Sequence, residues 1–404
     1  MIQNSLIILL ILIATETVVL FLSEKRQTKH LFAVVPAVFW IYFLPMVLSS
    51  ARILPVENPV YDLIPRYLLP VALIFLLLGV DLAAILGLGR KALLMMLTGS
   101  TGIVLGAPIV LSLFKHWLPE NAWMGFGALS GSWVGGSANM IAVKEAIGAP
   151  DSVFFPMIVV DVVVAYSWMG FLILAANYQE RYDRWNRSDL KLLVELKATV
   201  TRERVIPERF NREFRSPLKA CGDDKSSDRF VPIAMTLLVG LLGLGACLFI
   251  SQFLPTTFGF SKNTWTILIA STLGLGLSFT PLRRLESFGA SKIGYAILFL
   301  VLTAIGAKAN LAAIAHAPIL VIAGFVWVLI HVAILISVGR FVRAPLCLLA
   351  TASQANIGGP VSAPIVASVY HSALAPVGLL LGIFGNIIGT YVGLFCSYLC
   401  KLVN

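Results

Sequence analysis

The stretch Gly-Ala-Leu-Ser-Gly-Ser-Trp-Val-Gly-Gly-Ser-Ala-Asn at residues 127–139 lies inside an apolar segment of the chain. It contains more Gly, Ser and Asn than an ordinary lipid-facing helix. A second stretch of this kind, Thr-Ala-Ser-Gln-Ala-Asn-Ile-Gly-Gly-Pro-Val-Ser-Ala-Pro, covers residues 351–364. The Gly-Gly-Pro run interrupts the helical hydrogen-bond ladder and frees backbone amides and carbonyls. The two stretches therefore predict a pair of broken helices.

The surrounding composition places these breaks in a membrane. Of the 404 residues, 58% are hydrophobic and 12% are charged, whereas an average globular chain has roughly 25% charged residues. Residues 179–229 alone carry 23 of the 50 charges, 13 basic and 10 acidic. Too few charges remain elsewhere to solvate a water-soluble domain. We therefore expect an integral membrane protein with one polar insert, and the composition excludes a soluble fold, a secreted disulfide scaffold and a nucleic-acid-binding protein.

A helix needs about 20 apolar residues to cross the hydrocarbon core of a bilayer. Twelve segments meet this requirement: 5–22, 31–50, 67–87, 92–114, 122–147, 152–178, 231–250, 264–280, 292–314, 317–338, 345–369 and 374–399. The expected fold class is an all-α polytopic membrane protein with about 12 (11–13) transmembrane helices. The insert divides the chain into a first transmembrane half at 1–178, a charged cytoplasmic insert at 179–229 and a second transmembrane half at 230–404.

The two halves resemble each other at three places in the same order. The matching motifs are Asp81-Leu-Ala-Ala-Ile with Asn310-Leu-Ala-Ala-Ile, Gly135-Gly136 with Gly358-Gly359, and residues 161–166 with residues 386–391. Their nearly constant offset predicts two structural repeats, a common feature of secondary transporters. Strict alternation of twelve spans would make the repeats parallel. The placement of Lys and Arg beside the spans instead favours inverted repeats and a span count that differs by one.

A substrate or ion site is expected at the two breaks. Unwound backbone is tolerated at membrane depth only where protein or a water-filled cavity covers it. Half-helix ends then direct amide dipoles at anions and carbonyl oxygens at cations. The residues predicted to bind the substrate are Ser137, Asn139, Gln354, Asn356, Gly135, Gly136, Gly358 and Gly359. The alternative, close packing by small residues, explains the glycines but explains the paired amide side chains poorly.

Charged residues inside the apolar segments are the second signal, because a carboxylate at bilayer depth costs about 2.5–3.5 kcal/mol on insertion scales. Asp161 has apolar sequence on both sides and is the predicted ion-coupling residue, with a structural ion pair to Lys308 as the alternative. Asp81 is a weaker ion-coupling candidate near a span end, where it could instead cap a helix. Asn386 is neutral at the repeat position of Asp161, so one half is expected to carry the titratable role.

Other polar residues in the apolar segments have structural interpretations. Glu16 in the first span is a weaker ion-site candidate that could instead snorkel outward, and His331 is expected to be a hydrogen-bonded interior residue. Lys144 and Glu145 are expected to mark the exit of the first broken segment into water, with substrate contact as the alternative. The sequence contains no metal-ligand cluster, phosphate-binding loop or nucleophile elbow. We therefore expect neither an enzyme nor a cofactor, apart from Na⁺ or H⁺ as the coupling ion.

Several of these motifs resemble a known family. The motifs are Gly-Ser-Trp-Val-Gly-Gly-Ser-Ala-Asn-Met-Ile-Ala-Val-Lys-Glu (131–145), Ala-Pro-Asp-Ser (149–152), Ser-Gln-Ala-Asn-Ile-Gly-Gly-Pro (353–360) and Leu-Ala-Pro-Val-Gly-Leu-Leu-Leu-Gly (374–382). They are similar to the membrane family catalogued as domain of unknown function 819, and the likeness covers nearly the whole chain. More distantly, residues 135–139 resemble the Gly-Gly-Ser/Thr-Ala-Ser-Asn stretch of the bile acid:sodium symporter and cation/proton antiporter superfamily, one residue shorter.

The distant resemblance implies an inverted-repeat fold in which a mobile core domain moves against a panel domain. It also implies crossing helices near residues 131–145 and 353–366. Antiporters with two carboxylates would imply an Asp-Asp pair inside an apolar segment. None of the apolar segments of this sequence contains such a pair, which argues against strict two-proton antiport.

We therefore expect an ion-coupled secondary transporter of a small solute that works by alternating access in a bacterial-type cytoplasmic (inner) membrane. One alternative is a monovalent cation/proton antiporter. Another is a membrane receptor or assembly factor that binds a ligand without moving it. The expected partners are a small-molecule or ion substrate and the lipid bilayer, and a homodimer is an open alternative for the assembly.

Overall fold

The structure of the protein is a computed structural model of the 404-residue chain. It describes residues 4–25, 27–28, 31–32, 35, 37–189, 230–256, 261–308, 317–371 and 374–404. Residues 190–229, which form most of the predicted insert, lie outside the described residues, and so does the motif that begins at Asn310.

All regular secondary structure in the described residues is helical, which confirms the predicted all-α fold class. The α-helices are α1 (Ser5–Glu24), α2 (Ala37–Ser50), α3 (Pro59–Leu78), α4 (Leu82–Leu86), α5 (Arg90–Phe114), α6 (Ala122–Gly135), α7 (Ser137–Ile147), α8 (Asp151–Ala175), α9 (Gln179–Asn186), α10 (Phe230–Phe253), α11 (Lys262–Leu277), α12 (Ala290–Lys308), α13 (Ala317–Val342), α14 (Leu346–Ile357), α15 (Gly359–Tyr370) and α16 (Ala375–Val403). Short 3₁₀ segments follow α5, join α8 to α9 and precede α12.

Eight helices in the described part of the chain are long and apolar enough to cross a membrane. They are α1, α3, α5, α8, α10, α12, α13 and α16. A ninth span results if α11 is taken together with the 3₁₀ segment Pro281–Phe288, relative to which it is bent by 96°. A multi-pass membrane protein is therefore confirmed, whereas the count of 12 spans and the two repeats stay predictions.

The helix found at the predicted span 67–87 has different boundaries. α3 begins at Pro59, in the first helical turn that tolerates proline, and the Asn58 side chain caps it. It ends at Leu78, and Asp81 then caps the short helix α4. Local capping residues therefore set these boundaries, which the apolar length alone does not reveal.

The chain forms two compact units, each built from segments that precede and follow the predicted insert. The first unit comprises residues 1–80, 145–155 and 208–315, and the second comprises residues 81–144, 156–207 and 316–404. Every residue predicted to bind substrate or a coupling ion belongs to the second unit. The predicted division of the chain into two halves at residues 179–229 follows the order of the sequence. As a statement about domains it stays a prediction.

The first unit is held together by an apolar stripe on α1 and by close backbone packing. Ile8, Leu12 and Val19 are buried on one face of α1, because residues three or four positions apart share a helix face. Gly306 of α12 allows a close approach of α2. A Cβ built there would lie 3.0 Å from the carbonyl carbon of Tyr42, so a larger side chain would separate the two helices.

The second unit has an aromatic core between α6, α8 and α13. Trp133 and Trp327 are fully buried, with ring centroids 4.7 Å apart, and Phe126 stacks on Trp327 at 5.3 Å. Gly324 of α13 admits α8, since a Cβ there would lie 2.8 Å from Cγ1 of Val160. This packing fixes α6, which leads into the first break, against α8, which carries Asp161.

Candidate functional site

The first break separates α6 from α7 at Gly136. Gly136 adopts φ 80° and ψ 176°, a backbone conformation that is essentially restricted to glycine. The interruption expected from the Gly-Gly pair is therefore present. The first N–H groups of α7 have no acceptor within the helix, and Ser137, its first residue, is half-buried. The break thus places polar backbone and a hydroxyl group within an otherwise apolar segment.

Asn139 of α7 holds this break together with its side chain. Its Nδ2 donates to the carbonyl oxygens of Gly135 at 2.5 Å and Asn386 at 3.2 Å. Its Oδ1 accepts a hydrogen bond from Thr390 Oγ1 at 2.5 Å. Because Asn139 is buried and both ends of its amide contact protein, the geometry favours a role in fixing the break. A direct contact with substrate stays a prediction.

Asp161 of α8 lies beside the last turn of α6. Its Oδ2 accepts a hydrogen bond from Ser132 Oγ at 2.8 Å, and Ser132 precedes Gly136 by one helical turn. The indole of Trp133 also lies next to the carboxyl group, outside hydrogen-bonding geometry. The predicted ion-coupling carboxylate is therefore close to the first break, and it accepts a hydrogen bond from a residue of the helix that ends there.

Asn386 of α16 is the second polar side chain beside the first break. Its Oδ1 lies 3.4 Å from the position that a Cβ of Gly136 would take. The side chain is half-buried, and no described residue forms a hydrogen bond with its amide group. The first break therefore combines one carboxylate with one amide whose donor and acceptor are open.

The second break separates α14 from α15 at Gly358 and Gly359, and Gly359 has φ 65°. Gln354 Nε2 donates to Ser362 Oγ at 2.8 Å, so the Gln354 amide bridges the two half-helices. Gln354 Oε1 is buried and has no hydrogen-bond partner among the described residues. Buried acceptors are rarely left unpaired in proteins. This oxygen is therefore a candidate to accept a hydrogen bond from a bound molecule or to coordinate a cation.

Asn356 fixes the second break from the α14 side. Its Oδ1 accepts from Ser100 Oγ at 2.8 Å, and its Nδ2 donates to the carbonyl oxygens of Met96 at 3.1 Å and Ala352 at 3.0 Å. Asn356 is fully buried, and Gly99 makes room for it on α5, where a Cβ would lie 3.2 Å from Asn356 Cγ. Like Asn139, Asn356 is engaged by protein at both ends of its amide.

A buried polar chain supports the second break. His331 Nδ1 lies 2.9 Å from the carbonyl oxygen of Gly99, and His331 Nε2 lies 3.0 Å from Ser353 Oγ. Trp168 Nε1 donates to Ser353 Oγ at 2.9 Å. Because a carbonyl only accepts, Nδ1 carries a proton and donates to Gly99, and Nε2 shares a hydrogen bond with the Ser353 hydroxyl. The expected interior, hydrogen-bonded role of His331 agrees with this geometry.

Both breaks pack against the same helix, α16, through glycines on that helix. A Cβ built on Gly389 would lie 2.7 Å from the Cα of Gly135, and one built on Gly382 would lie 2.5 Å from the Cα of Pro360. Neither backbone neighbour can move away as a flexible side chain could. The close packing of small residues, which the sequence offered as the alternative to a binding site, is therefore present together with the polar groups.

The remaining charged candidates occupy other places. Asp81 caps α4 by accepting the Ala84 N–H at 3.0 Å, which agrees with its capping alternative, and its ion-coupling role stays a prediction. Lys308, the alternative ion-pair partner proposed for Asp161, instead has its Nζ 2.7 Å from Asp62 Oδ1.

Two expectations about charged side chains are wrong. Glu16 does not snorkel outward, because it lies on the inward stripe of α1 with 8% of its surface exposed. Lys144 does not mark an exit into water, because α7 continues to Ile147 and Lys144 is buried with 6% exposed. At both positions the side chain is buried against protein, whereas the sequence pattern suggested contact with water or with the membrane surface.

Sequence reasoning named Asn386 only as a neutral counterpart of Asp161, and it missed Ser132 and Thr390. A signal for two of them exists, since Ser132 precedes Gly136 by four residues and Thr390 follows Asn386 by four. Four-residue spacing places such pairs on one helix face. Which faces of these helices lie next to the break, however, depends on how α8 and α16 pack, and local sequence patterns do not predict that packing.

These features define an all-helical, multi-pass membrane protein with two glycine-broken helices in one compact unit. A family model described as "Protein of unknown function (DUF819)" matches residues 10–402, and the chain belongs to that family. The chain is similar to the uncharacterized membrane protein YjcL of Bacillus subtilis (strain 168), with 24% identity over 357 residues that cover 84% of this chain and 83% of that protein. The more distant resemblance to symporters and antiporters stays a resemblance.

Proposed function

We propose that this protein is an ion-coupled secondary transporter of a small solute in the cytoplasmic membrane. The observation that carries the proposal is the first break, where the Asp161 carboxylate hydrogen-bonds to Ser132 one turn before Gly136. A carboxylate inside a membrane-spanning segment is costly unless it is paired with another group or has a functional role. Binding of Na⁺ or H⁺ to Asp161 would change the charge beside the break, which is what coupling between an ion and a solute requires.

The other polar residues divide into two groups in this proposal. Asn139 and Asn356 hold the breaks, because protein groups engage both of their amides. Gln354, Asn386 and Ser137 are proposed to contact the solute. Gln354 Oε1 has no partner in the described residues, and Asn386 and Ser137 are half-buried beside the first break. We propose that the second unit acts as the mobile core, since it contains both glycine breaks.

A monovalent cation/proton antiporter is the second candidate. Two oxygen groups near the breaks favour it. The Asp161 carboxylate and Gln354 Oε1 are oxygen ligands of the kind that hard cations prefer. Neither candidate requires catalysis or a cofactor beyond the transported or coupling ion.

A thermal-shift screen of the purified full chain is the first experimental step. The probes are amino acids, short peptides, organic acids, Na⁺ and K⁺. A native-state ligand raises the free energy of unfolding by RT ln(1 + [L]/Kd), about 2.7 kcal/mol at 100 times Kd. We expect at least one organic probe to stabilise the protein, and more strongly when Na⁺ or a lower pH is also present.

Proteoliposomes then separate the functions. Counterflow of the stabilising solute, accelerated by a Na⁺ or pH gradient, would support the proposed transporter. A pH-sensitive dye inside the vesicles that responds to added Na⁺ or K⁺ without any organic solute would support the antiporter instead. Saturable binding without counterflow under either gradient would contradict both and would indicate a receptor or assembly factor.

A further inference from the structure

The short polar helix α9 continues α8 through a 3₁₀ turn and reaches the start of the second broken helix. Its sequence, Gln-Glu-Arg-Tyr-Asp-Arg-Trp-Asn, contrasts with the apolar helix α8 that leads into it. The chain leaves α9 through Arg187 in a left-handed conformation, φ 51°. This turn brings residues 188 and 189 to the link 343–345, which joins α13 to α14.

Asp183 of α9 caps the N-terminus of α14. Its Oδ1 accepts the N–H of Leu346, the first residue of α14, at 2.9 Å. The residue before it, Pro345, has no side-chain acceptor to offer, so the cap is supplied from a different helix. A carboxylate at this position pairs an otherwise unsatisfied N–H and faces the positive end of the helix dipole.

The link before α14 is held by further hydrogen bonds from the same segment. Asn186 Nδ2 donates to the carbonyl oxygen of Ala344 at 2.7 Å, and the N–H of Asp189 donates to the carbonyl oxygen of Arg343 at 2.9 Å. Asn186 is buried, with 1% of its surface exposed. Arg343 itself has φ 57°, a conformation that non-glycine residues rarely adopt without support. The contacts therefore fix a sharp turn of the backbone.

Contacts at the surface of this segment are weaker. Lys91 Nζ lies 2.7 Å from Asp189 Oδ2, but both side chains are more than a third exposed, and exposed ion pairs contribute little to stability. Arg340 lies over the ring of Trp185, 4.6 Å from its centroid. Arg340 Nη1 also donates to the carbonyl oxygen of Trp185 at 2.5 Å. The backbone-directed bonds of Asp183 and Asn186 therefore hold the start of α14 together with this contact from α13.

The structure assigns to Asp183 the role of a positioning residue for the second broken helix. By capping α14 it fixes the half-helix that carries Gln354 and Asn356. Asp161 and Asp183 lie on consecutive helices, 22 residues and about 33 Å apart along the helix axis at 1.5 Å per residue. Through α8 and α9, the same stretch of chain contacts the first broken pair at Ser132 and the second at Leu346. The importance of this position for transport rests on the proposed function, whereas the positioning itself does not.

Hydrogen–deuterium exchange of the full chain in lipid nanodiscs tests this role without any ligand. The variants are Asp183→Ala, Asp183→Asn and, as a matched control on the exposed side of α9, Glu180→Ala. Loss of a helix cap typically changes the local equilibrium about fivefold. We expect Asp183→Ala to accelerate exchange about fivefold throughout α14, as far as the break at Gly358. Asp183→Asn should restore slow exchange, because its side-chain oxygen still accepts the Leu346 N–H, and Glu180→Ala should leave exchange unchanged.

Exchange that accelerates only in the first turn of α14, or that is equally fast in Asp183→Ala and Glu180→Ala, would overturn the positioning role. If Asp183→Ala does not fold, Asn186→Ala gives the same readout, because it removes the bond to Ala344. Since exchange needs no solute, the expected pattern in a protein without counterflow would refute the proposed function and leave the positioning role standing.

Discussion

The two broken pairs have the same outline and different surroundings. Each interrupts its helix at a double glycine whose backbone reaches positive φ, at Gly136 in the first pair and Gly359 in the second. Each is held by a buried asparagine. Asn139 follows its break and bonds to α16, whereas Asn356 precedes its break and bonds to α5. At the first break the Asp161 carboxylate accepts a hydrogen bond from Ser132, four residues before Gly136. The carboxylate that bonds to the second pair, that of Asp183, lies at Leu346, 12 residues before Gly358.

This difference indicates a division of roles between the breaks. At the second break the side chains that meet each other are neutral, and Gln354 and Ser362 bridge the half-helices directly. A neutral amide can hydrogen-bond a solute without changing its charge, whereas a carboxylate can bind and release a cation. The proposed function therefore places ion coupling at the first break and solute contacts at both breaks, through Asn386 and Ser137 at the first and Gln354 at the second.

Substitution of the shared glycines on α16 has the largest expected effect on stability. We expect Gly389→Ala to lower the free energy of unfolding by about 1–3 kcal/mol, because its Cβ would lie 2.7 Å from the Cα of Gly135. Gly382→Ala should act in the same way at the second break, where the Cα of Pro360 is 2.5 Å from the new Cβ. Denaturant titration of the detergent-solubilised protein measures both.

Gly170→Ala in α8 is the matched control, since nothing lies within 4 Å of its Cβ position. Alanine favours helix over glycine by about 1 kcal/mol, so this variant should be neutral or slightly more stable. Equal destabilisation by Gly170→Ala and Gly389→Ala would contradict the close packing of α16 against the first break.

Alanine substitution of the two buried asparagines tests the comparison of the two breaks next, through its effect on the free energy of unfolding. Loss of a buried hydrogen-bond partner costs about 1–3 kcal/mol, and we expect Asn139→Ala to be more destabilising than Asn356→Ala. After Asn356 is removed, Ser100 Oγ still bonds to the Met96 carbonyl at 3.2 Å, whereas the Thr390 hydroxyl has no other hydrogen bond to a described residue.

The same unfolding titration compares the two asparagine variants. Thr101→Ala on the exposed side of α5 is the control, with an expected effect within about 0.5 kcal/mol. A larger loss for Asn356→Ala than for Asn139→Ala would reverse the assignment of which asparagine is the more tightly integrated.

Gln354→Met should have the smallest effect on stability and a clear effect on binding. The change keeps the side-chain volume and removes an oxygen that has no partner among the described residues, so we expect a loss of at most about 1.5 kcal/mol from the bond to Ser362. The thermal shift given by the best solute of the screen should fall sharply. An unchanged shift would remove Gln354 from the proposed solute site.

The sequence alone predicts the membrane class and the helix breaks, because these depend on local composition and on glycine. It also singles out Asp161, whose coupling role stays a prediction. It does not predict that Asn139 and Asn356 are satisfied by protein, that Glu16 faces inward or that Lys308 pairs with Asp62. Those outcomes depend on which helices become neighbours. The cap on α14 is equally hidden, since Asp183 and Leu346 are 163 positions apart.

The most direct test of the account is the ion dependence of transport by Asp161→Asn. Asparagine keeps the shape of the side chain and an acceptor for Ser132 but cannot carry the negative charge. Asp62→Asn, which alters the exposed partner of Lys308, serves as the control carboxylate. In proteoliposomes under a Na⁺ or pH gradient, the account predicts that Asp161→Asn folds and loses gradient-driven solute flux while Asp62→Asn keeps it. Gradient-driven flux at the wild-type rate in Asp161→Asn would contradict the assignment of ion coupling to the first break.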